Sequence, residues 1–184
     1  GSNPKQLTKH GSIALGPAWA PDGSRLIFTS FLRGTPALFE LIPQEGYLRQ
    51  LWSQGGVNSS ASFSPDGSQV AFASSVDGNT DIYSISTQGG TARRLTNARA
   101  IDTQPAWAPN GRQIAFTSAR AGSPQIFLMD SDGSNVRQLT FEGNFHDEAA
   151  WSPDGTRIAC TTRENRSFQL ATIDSVTAAR QVLP

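Results

Sequence analysis

The densest cluster of side chains able to do chemistry is Asn144-Phe145-His146-Asp147-Glu148, which holds one of the two histidines in the chain. An imidazole beside two carboxylates has the makings of a metal site or a proton relay. No second histidine stands at ligand spacing, and an ordinary solvated loop explains these residues equally well. Asp130-Ser131-Asp132-Gly133-Ser134-Asn135 opens like a calcium-binding loop, but the twelfth position, where a bidentate glutamate is needed, is Phe141. The single cysteine, Cys160, can form neither an internal disulfide nor a cysteine-based metal site by itself. Nucleophile elbows, phosphate loops, dinucleotide glycine patterns and His-Glu-x-x-His helices are absent from the sequence, as is an amphipathic helix to carry one. The chain is therefore read as a non-enzyme, with no catalytic, cofactor-binding or metal-binding residue assigned.

Composition narrows the partners. Fifteen basic and fifteen acidic residues cancel, so there is no basic field for nucleic acid or for an anionic membrane surface. No apolar run approaches the ~20 residues that span a bilayer, so no membrane insertion is expected. At 184 residues the chain suits a single domain with a packed core. Gly1-Ser2 has the look of a scar left by tag removal, which would make the absence of a leader uninformative.

The elements that position these residues come from a repeat. Pro21-Asp22-Gly23, Pro65-Asp66-Gly67, Pro109-Asn110-Gly111 and Pro153-Asp154-Gly155 follow one another at 44 residues without a gap. The register carries Trp19, Phe63, Trp107 and Trp151 just before the corners, Phe28, Phe72, Phe116 and Cys160 after them, then Phe39, Tyr83 and Phe127. Leu7, Leu51, Leu95, Leu139 and Leu183 close the pattern. Proline fixes φ, Asp or Asn caps the turn and glycine accepts positive φ, so each corner is a tight turn between strands.

Each copy reads as four short strands, and even strand spacing at this period predicts an all-β protein, a β-propeller of four-stranded antiparallel blades. Alternation places Trp107 and Phe116 on one face and Ala106 and Ala115 on the other, so large faces nest over small ones. The blades are expected at about 17–52, 61–96, 105–140 and 149–184, all within one domain spanning 1–184, with 5–8 an extra outer strand. Five fourth strands for four sets of the other three suggest an excerpt from a longer array. Arg49, Arg93, Arg94 and Arg137 on the outer strands read as edge protection, with a docking patch as the alternative.

In an up-and-down blade the loops entering first strands share a rim with the loops between second and third strands. That rim is expected to hold His10, Arg33, Asn58, Asp77, Asn79, Asp102, Gln104, Arg120, His146, Asp147 and Glu148. Residues vary between copies there and hardly at the corners, which makes this rim the candidate partner-binding surface. Trp107→Ala is expected to cost roughly 3–5 kcal/mol as an inter-blade aromatic. Asp102→Ala, on the rim, is expected to leave folding nearly unchanged.

Asn3-Pro4-Lys5-Gln6-Leu7-Thr8, the run Pro17-Ala18-Trp19-Ala20-Pro21-Asp22-Gly23-Ser24-Arg25-Leu26-Ile27-Phe28-Thr29-Ser30, and Val136-Arg137-Gln138-Leu139-Thr140 resemble the C-terminal propellers of the TolB family. The resemblance implies a periplasmic part of the Tol-Pal envelope system, a non-catalytic scaffold whose protein partner is a Pal-like lipoprotein, on a surface that bacteriocins also exploit. It implies six blades and a preceding α/β domain, against four copies and no such domain here. It leaves calcium in the central channel open, without ligands. The last copy departs from the pattern, with Cys160 and Ala171 where aromatics stand elsewhere. Similar blades gate substrate entry in prolyl-oligopeptidase-like and tricorn-like peptidases, which supplies a second reading. A third is an isolated or engineered fragment that self-assembles: terminal faces lined by Trp19 or Phe168 would drive a homo-oligomer, with two chains in an eight-bladed ring as one route.

Overall fold

The computed structural model describes residues 3–183, so Gly1-Ser2 and Pro184 lie outside the described residues. Sixteen strands form four separate antiparallel sheets, each in simple chain order. Blade 1 comprises β1 (Ala14–Trp19), β2 (Leu26–Ser30), β3 (Ala37–Ile42) and β4 (Tyr47–Trp52). Blade 2 comprises β5 (Asn58–Phe63), β6 (Gln69–Ser74), β7 (Asp81–Ser86) and β8 (Arg93–Arg94). Blade 3 comprises β9 (Asp102–Trp107), β10 (Gln113–Ser118), β11 (Gln125–Asp130) and β12 (Arg137–Gln138). Blade 4 comprises β13 (His146–Trp151), β14 (Arg157–Glu164), β15 (Ser167–Asp174) and β16 (Arg180–Val182). No helix occurs among the described residues.

The corners fold as their chemistry dictates. The side-chain Oδ1 of Asp22, Asp66, Asn110 and Asp154 accepts the amide two residues on, at 2.9–3.0 Å. Serine and threonine hydroxyls add to this and hold Asp66 and Asp154 well below the usual carboxylate range, at about 2.

Large faces do nest against small ones. Ile27 and Leu38 of blade 1 pack with Phe72 and Tyr83 of blade 2, and Ala71, Ala73 and Ile82 with Phe116 and Phe127 of blade 3. Ala115, Ile126 and Leu128 then pack with Ile158, Cys160 and Ala171. Contacts run from each blade to the next, with β1 and β2 against β5, β6 and β7 against β9, and β10 and β11 against β13.

The two ends of the arc differ. On blade 1 the large face, Phe28, Phe39 and Leu41, is buried, and the His10 ring stacks on Phe28 at 6.4 Å. Lys5–Thr8, expected as an extra outer strand, pairs with no strand. The outer edge of β3 is already taken by β4, as that of β15 is by β16. The segment instead lines a groove with Leu41, Pro43 and Leu48. On blade 4 the small face is open: Leu170 is 57% exposed, whereas its counterparts Leu38, Ile82 and Ile126 are fully buried.

Two expectations change. Each sheet begins three residues before the expected blade start, at 14, 58, 102 and 146, because a β-bulge breaks the alternation of every first strand. The outer arginines also do more than guard an edge. Arg49, Arg93 and Arg137 donate to the Thr87, Asp132 and Ser175 carbonyls of the following blade, and Arg94 pairs with Asp81 at 2.5 Å.

Candidate functional site

The rim expected to bind a partner is built in two layers. The inner layer is a repeated polar plug at the start of the first strand. Asn58, Asp102 and His146 occupy equivalent positions, and none is more than 1% exposed. Asn58 donates to the Pro36 and Gln54 carbonyls and accepts the Ser74 hydroxyl at 2.8 Å, tying blade 1 to blade 2. Asp102 accepts the Arg120 guanidinium at 2.8 Å, which lies over the Phe116 and Phe127 rings. His146 places Nδ1 3.0 Å from Gln125 Oε1 and Nε2 3.3 Å from the Thr162 hydroxyl. Burial pushes the imidazole down to about 4, so it is neutral at pH 7.

These three residues therefore hold the blade together and are closed to solvent, a correction to their placement on the rim surface. A buried polar group is kept by its hydrogen bonds: Asn58 is held by loop carbonyls and a hydroxyl, His146 by a side-chain amide oxygen and a hydroxyl, and Asp102 by the Arg120 guanidinium. Arg120 is likewise engaged by Asp102, and Asn79 by the Ala98 and Ala100 carbonyls at 2.9 and 2.8 Å. His10 lies half-buried against Phe28.

The outer layer is solvent-facing. Arg33 and Asp77 are equivalent residues at the tips of the loops from second to third strands, and both are exposed. Asp77 accepts the Tyr83 hydroxyl at 2.6 Å and lies 3.6 Å from Arg94. Burial first, and then the Asp77 carboxylate, push the Tyr83 hydroxyl up, while Arg94 opposes the shift. Arg33 and Asp77 give the rim opposite charges on adjacent blades.

A second surface lies where the first strands meet. Gly16, Ser60, Gln104 and Glu148 stand 44 residues apart, and all have φ between 52° and 59°. Each is the bulged residue of its first strand. Together with Pro17, Ala61, Pro105 and Ala149 they line an opening of about 440 Å³ where the four first strands converge. Left-handed backbone at three non-glycine positions is strain that the packing sustains. The common spacing is legible in the sequence, but Gly, Ser, Gln and Glu share no chemistry that would flag it. Gln104 and Glu148, expected on the rim, thus belong to this axial opening. Across blades 3 and 4 the Gln104 Oε1 accepts the Glu148 amide at 3.3 Å, and Asp147 accepts the Thr117 hydroxyl at 2.8 Å.

The axial opening does not suit calcium, which takes six to eight oxygens. It brings one carboxylate, Glu148, beside an amide already engaged. Among the described residues no three His, Cys, Asp or Glu side chains gather as a metal site. Cys160 is buried and its thiol is pushed up to about 11, far from a nucleophilic thiolate at pH 7.

With this geometry in hand, similarity can be placed. A short stretch is 46% identical over 39 residues to the Tol-Pal system protein TolB of Desulfosudis oleivorans, covering 21% of this chain and 9% of that protein. The structure of TolB from Acinetobacter baumannii matches with a TM-score of 0.91 and 35% identity, over 100% of this chain and 46% of that one. Puromycin hydrolase matches with a TM-score of 0.79 at 17% identity, over 97% of this chain and 30% of that enzyme, a likeness of fold. The chain spans less than half the length of these proteins. The TolB beta propeller domain family matches residues 1–184, and the chain with its four-bladed arc belongs to that family.

Proposed function

We propose that the protein is a non-catalytic scaffold that binds another protein through the loop rim, as a TolB-type propeller of the periplasmic Tol-Pal envelope system, with a Pal-like lipoprotein as partner. The observation that carries this reading is the exposed outer layer of the rim, where Arg33 and Asp77 replace one another at one repeat position over a rigid, internally bonded base. A rigid base with variable tips lets partner choice change without disturbing the core. Titration calorimetry with the soluble domain of a Pal-like lipoprotein tests it. Saturable binding that Arg33→Glu weakens supports the reading. No heat of binding at high micromolar concentration, with the fold intact, overturns it.

Self-association belongs to the same proposal. The open small face of blade 4, with Leu170 and Phe168 exposed, is of the type that receives a large face at each internal junction. On blade 1 Trp19, 56% exposed, is the open part of the large face, beside the buried Phe28, Phe39 and Leu41. Light scattering that gives a stable monomer at high protein concentration rules this element out.

A further inference from the structure

Repetition lets each junction between blades be compared with the next, and one of the three is incomplete. Between blades 1 and 2, the Arg25 guanidinium lies over the Phe63 ring, 5.9 Å from its centroid. It donates to the Gly67 carbonyl at 3.0 Å and pairs with the buried Glu40 at 3.2 Å. The counterparts of Arg25, Phe63, Gly67 and Glu40 at the next junction are Gln69, Trp107, Gly111 and Ser84. Gln69, Trp107 and Gly111, with Asp66 and Asn110, line an open groove of about 350 Å³ among the corner turns.

Hydrogen bonds at the other junctions mark what this one lacks. The Gly67 carbonyl takes the Thr87 hydroxyl as well as Arg25, and the Gly155 carbonyl takes the Ser175 hydroxyl. Among the described residues the Gly111 carbonyl receives neither an arginine nor the Ser131 hydroxyl. The third junction closes in another way, because Trp151 donates from Nε1 to the Ala106 carbonyl at 3.0 Å. Trp107 makes no such bond, and its Nε1 is buried without an acceptor.

We propose that this groove is a binding site for a guanidinium supplied from outside the chain, the side chain of an arginine on a protein partner, seated as Arg25 is seated one junction earlier. An indole face attracts a cation more strongly than the phenyl ring that serves Arg25. Asp66 is the one charged side chain lining the groove, while Arg93, bonded to the Asp132 carbonyl, lines the adjoining space that shares Gln69 and Ser131. Serine hydrogen bonds keep that carboxylate ionised. Gln69 is shorter than arginine and uncharged, so it neither fills the space nor supplies the charge. With Ser84 in place of Glu40, the second carboxylate is missing, which suits a ligand that comes and goes rather than a fixed internal pair. The site lies among the corner turns, away from the loop rim, and stands or falls independently of lipoprotein binding there.

The test follows the indole Nε1–H resonance of Trp107 in the full chain, assigned with Trp107→Phe, during titration with N-acetyl-arginine amide. N-acetyl-citrulline amide, the uncharged isostere, is the control. A saturable shift at millimolar concentration, specific to Trp107 and to the arginine compound, is expected. Gln69→Arg should abolish it by filling the groove from within, and Asp66→Asn, which keeps the turn as Asn110 does in blade 3, should weaken it several-fold. If Gln69→Arg fails to fold, Asp66→Asn decides. No saturable shift, an equal shift with the citrulline compound, or binding unchanged in the folded variants overturns the proposal.

Discussion

The indole of Trp151 donates from Nε1 to the carbonyl of Ala106, 3.0 Å away on the innermost strand of the preceding blade. This bond joins two sheets that share no backbone ladder, at the place where a large face meets a small one. Trp19, at the same repeat position in blade 1, makes no such bond among the described residues and is 56% exposed.

Trp151→Phe is expected to lose that bond and destabilise by about 1 kcal/mol, since the Ala106 carbonyl loses its indole donor. Trp19→Phe should change stability by less than about 0.5 kcal/mol, as exposed substitutions do. Urea unfolding midpoints of the two variants check the contrast, and equal shifts would mean that the blade junctions are not what holds Trp151.

Asp102→Ala should destabilise by about 1–3 kcal/mol, because it removes the buried acceptor of the partly exposed Arg120 guanidinium. A rim position read from the sequence would predict almost no effect. Thermal unfolding distinguishes the two, and Asp102→Asn should recover part of the loss by keeping one hydrogen bond to the guanidinium.

Stability should depend on pH through His146. Its folded pKa, about 4, lies below the ordinary 6.5, so between these values the unfolded chain binds more protons than the folded one. The stabilisation is complete above 6.5, declines as pH falls towards 4 and flattens below it, amounting to about 3 kcal/mol at most. The neighbouring Arg180 also disfavours the imidazolium, while Glu164 favours it. Urea midpoints between pH 7 and pH 4 should fall more steeply in the wild type than in His146→Asn, which places there the residue that blade 2 uses at Asn58.

Arg137→Ala should cost about 1 kcal/mol by removing the bond to the Ser175 carbonyl of the following blade. Arg137→Lys should recover little, because a single ammonium on a flexible stem does not reproduce the fork geometry of guanidinium. Chemical denaturation of both variants, with the fold checked by circular dichroism, measures this.

The architecture was legible because period, corner residues and aromatic register are all local or strictly repeated signals. Phe72 and Ala71, or Phe116 and Ala115, announce a large and a small face by simple alternation. The site was legible only in part. His146, Asp102 and Asn58 look like surface loop residues because they are polar and precede a strand, yet each turns inward to partners brought close only by the fold, such as Gln125, Arg120 and the Pro36 carbonyl. The bulge at Gly16, Ser60, Gln104 and Glu148 went unread because backbone shape, not side-chain type, is what repeats there. The outer arginines read as edge protection in the sequence because their acceptors are backbone carbonyls of the next blade, which no residue pattern reveals.

Amide hydrogen exchange, compared with and without saturating Pal-like lipoprotein domain, reports directly where a partner sits. Docking on the loop rim should slow exchange in segments 31–36, 75–80 and 119–124 and leave the corner turns at 20–24, 64–68, 108–112 and 152–156 unchanged. Slowing confined to the corners, or no slowing anywhere at saturation, would contradict it.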